Sequence, residues 1–120
     1  GAPDKANAKL VAKSVVCSTL LKAAIFGADA NWGRVLCAIG YSGAAVDISK
    51  IDVQFQSRAG VVSVCTGGSG VPFSEEDAKL VLSESEIDVA VQLNAGTEQA
   101  VAWGCDLTYD YVKINGDYRT

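Results

Sequence analysis

The fold is decided by residues 51–65, which read IDVQFQSRAGVVSVC. In its first half, apolar and polar residues alternate strictly, and this period of two places one set of side chains on each face of a β-strand. Residues 58–60 have the composition of a turn, and an apolar run follows over residues 61–65. The stretch therefore predicts a β-hairpin that is half-buried.

Two helices are predicted before this hairpin. Apolar residues recur at helical spacing along residues 4–26, which are expected to form one helix with Asp4 as its N-cap. Its second half is apolar on nearly every side, which predicts burial on every side. A shorter helix is expected from Trp32 to Ile39, with Asn31 as its cap and Gly40 as its stop.

A third helix and two more strands are predicted after the hairpin. Residues 66–70, TGGSG, are expected to form a flexible connecting loop, and Ser74 opens a helix with a capping-box pattern. Apolar residues recur at every second position in residues 87–93 and again in residues 101–107, which predicts a second hairpin. The expected order is therefore α-α-β-β-α-β-β-tail.

This order favours an α+β fold, because the strands cluster and do not alternate strictly with helices. We expect a mixed or antiparallel sheet of about four strands with helices on one face. Residues 1–120 are expected to form a single domain, since the length suits one hydrophobic core.

The composition excludes several classes of protein and site. The net charge is −4 and there is no basic stripe, so no nucleic-acid partner is expected. No apolar run is long enough to span a bilayer, so no membrane partner is expected either, and the first residues do not resemble a signal peptide. The chain has no histidine, so no Ser–His or Cys–His pair can form within it, and no metal site is expected.

The cysteines and tryptophans are expected to lie in the core. Each cysteine has apolar neighbours, which favours reduced core thiols and leaves a disulfide framework as the minor alternative. Trp32 and Trp103 stand at core-facing positions and are expected to be largely buried. The four cysteines are Cys17, Cys37, Cys65 and Cys105.

Three other segments could carry chemistry, and each has a structural alternative. The glycine-bearing residues 66–70 lack the lysine of a phosphate-binding loop, so a hairpin connector is favoured. Lys22 lies in an apolar segment, where it could form an ion pair, extend to solvent or have a lowered pKa; the ion pair is favoured. Residues 29–34, DANWGR, fit a capped helix start with an Asp29–Arg34 ion pair or, almost equally, a substrate or subunit contact.

The tail, residues 103–120, is polar and rich in tyrosine. Chain termini usually fray, but this one combines Tyr109, Tyr111 and Tyr118 with an Asn-Gly-Asp turn at residues 115–117. We expect the tyrosine rings to dock the tail against another surface, which need not belong to this chain.

Two motifs carry a resemblance to a known family. Residues 22–40, KAAIFGADANWGRVLCAIG, and residues 103–120, WGCDLTYDYVKINGDYRT, resemble the bifunctional ornithine acetyltransferase / glutamate N-acetyltransferase family of arginine biosynthesis. The similarity covers nearly the whole chain and is weakest at residues 56–75. It implies that the chain is the carboxyl-terminal domain of the β chain of such an enzyme.

The resemblance also implies a mechanism. Members of the family are cytoplasmic precursors that cut themselves between an alanine and a threonine, and the new amino-terminal threonine becomes the nucleophile. It takes acetyl from N-acetylornithine and passes it to glutamate, with acetyl-CoA as a second donor in bifunctional members. The α and β chains assemble as an α2β2 heterotetramer.

The resemblance assigns two substrate-binding residues to this chain, Asn115 and Thr120, and no catalytic residue. The first residue is Gly1, so the nucleophilic threonine is expected upstream of it, on a segment absent from this sequence. Apart from acetyl-CoA as a co-substrate, no cofactor is expected, and the partners are the α chain and the rest of the β chain. The alternative is a self-standing α+β binding module without catalysis.

Overall fold

The computed structural model describes residues 1–119 and has the predicted α+β fold, with an antiparallel four-stranded sheet. The strand order is β3-β2-β1-β4. The strands are β1 (Asp52–Ser57), β2 (Gly60–Thr66), β3 (Ser69–Gly70) and β4 (Asp88–Gln92). The helices are α1 (Lys5–Val16), α2 (Thr19–Phe26), α3 (Trp32–Gly40), α4 (Glu75–Leu82) and α5 (Tyr109–Asp117), with a 3-10 turn at Ile48–Lys50.

The hairpin predicted at residues 51–65 is confirmed as β1 and β2, and its alternation separates the two faces of the sheet. Val53 and Phe55 are fully buried against the helices. On the other face, the Gln54 amide donates a hydrogen bond to the Ser63 hydroxyl at 3.0 Å. The helices therefore cover one face of the sheet, because only that face is apolar.

The single helix predicted over residues 4–26 is wrong, because the chain breaks at Cys17 and Ser18 and forms α1 and α2. The Ser18 hydroxyl accepts a hydrogen bond from the Leu21 amide at 3.2 Å and caps α2. A serine that satisfies the backbone locally competes with helix continuation. The N-cap at Asp4 is confirmed, since its carboxylate accepts from the Asn7 amide at 2.7 Å.

The strand predicted at residues 101–107 is also wrong, since no ladder pairs this segment within the described chain. The fourth strand is β3, at residues 69–70, in the segment that was expected to be a flexible loop. Gly67 and Gly68 have positive φ and turn the chain back onto β2. A Cβ on Gly68 would lie 2.3 Å from the Ile48 carbonyl oxygen, so only glycine fits this turn.

The helix predicted to open at Ser74 is confirmed as α4. Its cap hydroxyl accepts from the Asp77 amide at 3.1 Å. Three acidic residues in the first turn complement the partial positive charge of the helix start. The helix buries Ala78, Val81 and Leu82 against the sheet.

Residues 94–119 differ from the rest of the chain, and we call them the carboxyl-terminal arm and residues 1–93 the body. No residue of the arm is buried. The turn expected within its tail is instead the helix α5, which the Thr108 hydroxyl caps by accepting from the Tyr111 amide at 2.9 Å.

The chain exposes more surface than a compact monomer of its mass. Its accessible area is 7472 Å², against about 6100 Å² expected from size scaling. Its radius of gyration is 14.7 Å, against about 13.6 Å for a compact domain of this length. Within the described residues, every helix is too short or too polar to cross a lipid bilayer.

Candidate functional site

Asn115, the first of the two predicted substrate-binding residues, lies on α5 and is exposed to solvent. Its side-chain amide donates to the Tyr111 carbonyl at 2.8 Å, one helical turn earlier. Its side-chain oxygen accepts no hydrogen bond from the described residues, so it stays available to a ligand. Thr120, the second predicted residue, lies outside the described residues, and both assignments remain predictions.

The surroundings of Asn115 favour a ligand with a positively charged group. It stands in the last turn of α5, where unpaired backbone carbonyls give the helix end a partial negative charge. Asp117 closes the same turn. An ammonium group would therefore be stabilised here more than a carboxylate.

The arm contacts the body through a few backbone and ring contacts. The Leu107 amide donates to the Lys22 carbonyl at 3.2 Å. The edge of one ring meets the face of the other where Tyr109 packs on Phe26, with the centroids 5.2 Å apart. Of the three tyrosines expected to dock the tail, only Tyr109 has such a ring contact within the described chain, and Tyr111 and Tyr118 are exposed.

Trp103 is 86% exposed, so the prediction that it is buried is wrong. The alternation around it predicted a core-facing strand, but no strand among the described residues pairs with this segment. Its neighbour Gly104 packs so tightly on α1 that a Cβ would lie 2.6 Å from Val16. Trp32 is only half-buried, and its ring lies against Gly70 of β3.

Only one cysteine is a core thiol, so the prediction is wrong for the other three. All four are unpaired, but Cys17, Cys37 and Cys105 are exposed. Cys65 is buried on β2 and donates to the Ile51 carbonyl at 3.8 Å. Burial raises the pKa of the Cys65 thiol, because a thiolate would lose its hydration.

The ion pairs predicted from the sequence do not form within the described residues. Asp29 accepts from the Asn31 amide at 3.1 Å, and the Arg34 guanidinium donates to the Leu20 carbonyl at 2.8 Å. Lys22 is half-buried, and no carboxylate of the described chain pairs with it. Residues 29–34 therefore form a capped helix start without the expected charge pair.

Among the hydrogen bonds of the described residues, one joins a side-chain hydroxyl to a carboxylate. The Ser49 hydroxyl donates to the Asp47 carboxylate at 2.6 Å. However, the hydrogen bonds from the Ser49 side chain and backbone lower the pKa of Asp47, which makes it a weaker base. The described residues also contain no group of three or more Cys, Asp or Glu side chains arranged to hold a metal ion.

An open groove of about 1050 Å³ lies between the α1–α2 pair and β4. Val15 and Ile25 line its helical wall, and Val89 and Val91 line its sheet wall. Residues 98–106 of the arm contribute to its rim. Sequence reasoning missed the groove, although the alternation of residues 87–93 next to a segment without a strand could have indicated an open sheet edge.

Relatives of the chain are known. All of its residues, 1–120, match the ArgJ family. It is 53% identical over 120 residues to the arginine biosynthesis bifunctional protein ArgJ 1 of Clostridium acetobutylicum, covering all of this chain and 29% of that protein. It is 56% identical over 114 residues to the arginine biosynthesis bifunctional protein ArgJ of Caldanaerobacter subterraneus, covering 95% of this chain and 28% of that protein.

A solved structure gives the same result at the level of the fold. The crystal structure of the arginine biosynthesis bifunctional protein ArgJ from Bacillus halodurans superposes with a TM-score of 0.88 at 44% identity. The match covers 98% of this chain and 54% of that one. The chain thus spans under a third of the length of these curated relatives, and the resemblance predicted from the two motifs is confirmed: the chain belongs to the ArgJ family.

Proposed function

We propose that this chain is the carboxyl-terminal part of an acetyltransferase of arginine biosynthesis, which moves acetyl from N-acetylornithine to glutamate. The observation that supports this most strongly is the match to the ArgJ family over every residue of the chain. The relatives are named as bifunctional proteins of arginine biosynthesis. A cytoplasmic location follows from the same proposal.

The proposed reaction uses a threonine on a segment outside this chain. Its hydroxyl oxygen attacks the acetyl carbon, the bond from that carbon to the ornithine nitrogen breaks, and ornithine leaves with the proton. The amine of glutamate then attacks the acetyl-threonine ester and regenerates the hydroxyl. Acetyl-CoA would serve as a second donor in the first step.

In this scheme the chain contributes to substrate binding. We expect Asn115 and Thr120 to contact the amino-acid part of the substrate and not its acetyl group. Asn115 has an exposed side-chain oxygen beside the carbonyl end of α5, where an ammonium group is stabilised. N-acetylornithine carries such a group on its side chain.

The surface of the chain supports a place within a larger assembly. The exposed area exceeds that of a compact monomer by roughly a fifth. Large apolar side chains of the arm remain in solvent, among them Trp103, Tyr109 and Ile114. The α chain and the remainder of the β chain, in an α2β2 heterotetramer, are the proposed partners. A self-standing binding module would be expected to bury these side chains itself.

The binding role can be tested with Asn115→Ala in the complete enzyme. Losing hydrogen bonds to a charged ligand should cost about 1.5–3 kcal/mol, which lowers kcat/KM roughly ten- to a hundredfold through KM. Alanine is a strong helix former, so α5 itself should persist. Self-cleavage should proceed normally.

The matched control is Lys113→Ala, an exposed position on the same helix. This variant should retain wild-type kinetics. Wild-type KM for both substrates in the Asn115→Ala enzyme would remove Asn115 from the binding site.

The location of the nucleophile has its own test. The purified 120-residue chain should not transfer acetyl from N-acetylornithine to glutamate, while the complete enzyme should. Mass spectrometry of the complete enzyme incubated with N-acetylornithine should find one acetyl group on the threonine that begins the β chain. Transfer by the 120-residue chain alone would contradict the proposal.

A further inference from the structure

β4 is an open edge of the sheet. It pairs with β1 on one side, and within the described residues no strand pairs with its other side. Residues 88–92 read DVAVQ and contain neither the lysine nor the proline with which proteins commonly protect exposed edges. The backbone groups of such an unprotected edge can form hydrogen bonds with a further strand.

The hydrophobic core also remains open along this edge. Val91 is paired with Val53, and Val89 with Phe55, so their side chains continue the buried face of the sheet. Val53 and Phe55 are fully buried, whereas Val89 and Val91 are only half-buried. The groove of about 1050 Å³ accounts for this difference, because it separates β4 from the wall formed by α1 and α2.

The start of the chain lies at one end of this open edge. The Gly1 carbonyl accepts from the Ala95 amide at 2.8 Å, and the Gly1 amino group donates to the Glu98 carbonyl at 3.0 Å. A Cβ on Gly1 would overlap the side chain of Gln92, the last residue of β4. Any residues that precede Gly1 therefore reach it beside the end of β4.

From this geometry we infer that the segment preceding Gly1 in the complete polypeptide pairs with β4 as a fifth strand and closes the core. The inference rests on the proposed function, in which this chain is the carboxyl-terminal part of a longer protein. A strand that ends beside Gln92 runs in the same direction as β4. In the sequence, the elements from α1 to α4 separate the two strands, and they provide the long connection that parallel neighbours require.

The physical requirements on this segment are specific. About five residues, roughly 17 Å, would match the length of β4. Strands that are parallel to a neighbour and covered by helices are usually apolar. The side chains that face the helices would fill the groove between Ile25 and Val91.

A cross-link in the complete enzyme tests the identity and direction of the fifth strand. A benzophenone side chain placed at position 88 by Asp88→p-benzoylphenylalanine lies at the start of β4 and is exposed. After irradiation, peptide mapping should find the cross-link about four to six residues before Gly1. A cross-link to a second copy of β4, to the α chain or to a more distant segment would overturn the inference.

Hydrogen exchange gives an independent measurement on the unmodified complete enzyme. In an edge strand, alternate amides face solvent and exchange rapidly. If β4 is an interior strand, all amides of residues 88–92 should exchange at least about tenfold more slowly than the exposed amides at the opposite edge, β3. Rapid exchange at alternate positions of β4 would overturn the inference.

The same preparations separate this inference from the proposed function, because acetyl transfer is assayed in parallel. An enzyme that transfers acetyl but shows neither the cross-link nor the protection refutes the fifth strand alone. An enzyme with the cross-link and the protection but without transfer supports the strand and refutes the function.

Discussion

The helices α4 and α5 have nearly the same local signals but very different environments. Each begins with a hydroxyl cap, Ser74 or Thr108, and each has acid in its first turn, three residues in α4 and Asp110 alone in α5. Yet α4 buries three apolar side chains, whereas α5 buries none. Local signals therefore determine where a helix begins, while burial determines how much it contributes to the stability of the fold.

The same contrast separates two segments in which apolar residues recur at every second position. Residues 51–57 become a central strand because β2 and β4 provide partners on both sides. Residues 101–107 alternate similarly but have no partner strand within the described chain and remain irregular. The body therefore supplies the strand partners of β1, whereas the arm leaves apolar side chains such as Trp103 and Ile114 exposed.

Thiol reactivity should show the largest difference between exposed and buried sites. In the 120-residue chain, Cys17, Cys37 and Cys105 are exposed and should react at once with a thiol reagent at neutral pH. Cys65 should react at least about a thousandfold more slowly, because the reagent reaches it only when the core unfolds. Labelling followed by peptide mass spectrometry identifies each site. Comparable rates at all four cysteines would contradict the placement of Cys65 in the core.

A pair of aromatic substitutions should differ strongly in the free energy of unfolding. Phe55→Ala removes a fully buried ring from the body and should cost about 3–5 kcal/mol. Trp103→Ala removes an exposed ring from the arm and should change stability by less than about 0.5 kcal/mol. Urea titration of the 120-residue variants measures both. A large loss for Trp103→Ala would mean that the arm is part of the core.

The sequence predicted those elements whose partners lie within the body. The hairpin at residues 51–65, the helix after Ser74 and the caps at Asp4 and Asn31 all follow from local patterns. The break at Ser18 was missed because the apolar period continues through it, although a hydrogen bond of the serine interrupts the helix.

The arm could not be predicted from the same patterns. The alternation around Trp103 and Cys105 indicates burial, but burial also depends on which surfaces are nearby. The tail at residues 115–117 has the composition of a turn, yet it continues α5, which the Thr108 cap begins. The candidate residues Asn115 and Thr120 came from the family resemblance, and no local pattern distinguishes them.

Removing either helix cap should change the free energy of unfolding less than Phe55→Ala does, and the two effects should differ. Ser74→Ala leaves the Asp77 amide without its partner and should lower the free energy of unfolding by about 1 kcal/mol. Thr108→Ala removes the corresponding bond to Tyr111, but α5 is a nine-residue helix with no buried residue. It should therefore reduce helix content, measured by circular dichroism, and leave global unfolding unchanged. Equal losses in global stability would show that arm and body unfold together.

The smallest expected effect concerns the pH dependence of the stability of the body, through the turn that precedes β1. Hydrogen bonds from the Ser49 side chain and backbone lower the pKa of Asp47. A carboxyl whose pKa is lowered by folding contributes stability above its unfolded pKa of about 3.9, and that contribution is lost as the pH falls through the folded value. Asp47→Asn keeps an oxygen acceptor but does not titrate.

The difference in melting temperature between wild type and Asp47→Asn should therefore be small at pH 6, with wild type more stable, and should shrink as the pH falls below the unfolded pKa of about 3.9. Ser49→Ala provides the control, because it removes the side-chain hydrogen bond to Asp47 while leaving the carboxyl in place. The difference in melting temperature between Ser49→Ala and Asp47→Asn should change with pH in the same direction as that between wild type and Asp47→Asn, but by a smaller amount. Thermal unfolding followed across this pH range measures all three proteins. A difference between wild type and Asp47→Asn that stays constant from pH 6 to pH 2 would show that the charge of Asp47 does not stabilise the turn. The turn would then depend on neutral hydrogen bonds and on the packing of Ile51 beneath it, which is fully buried.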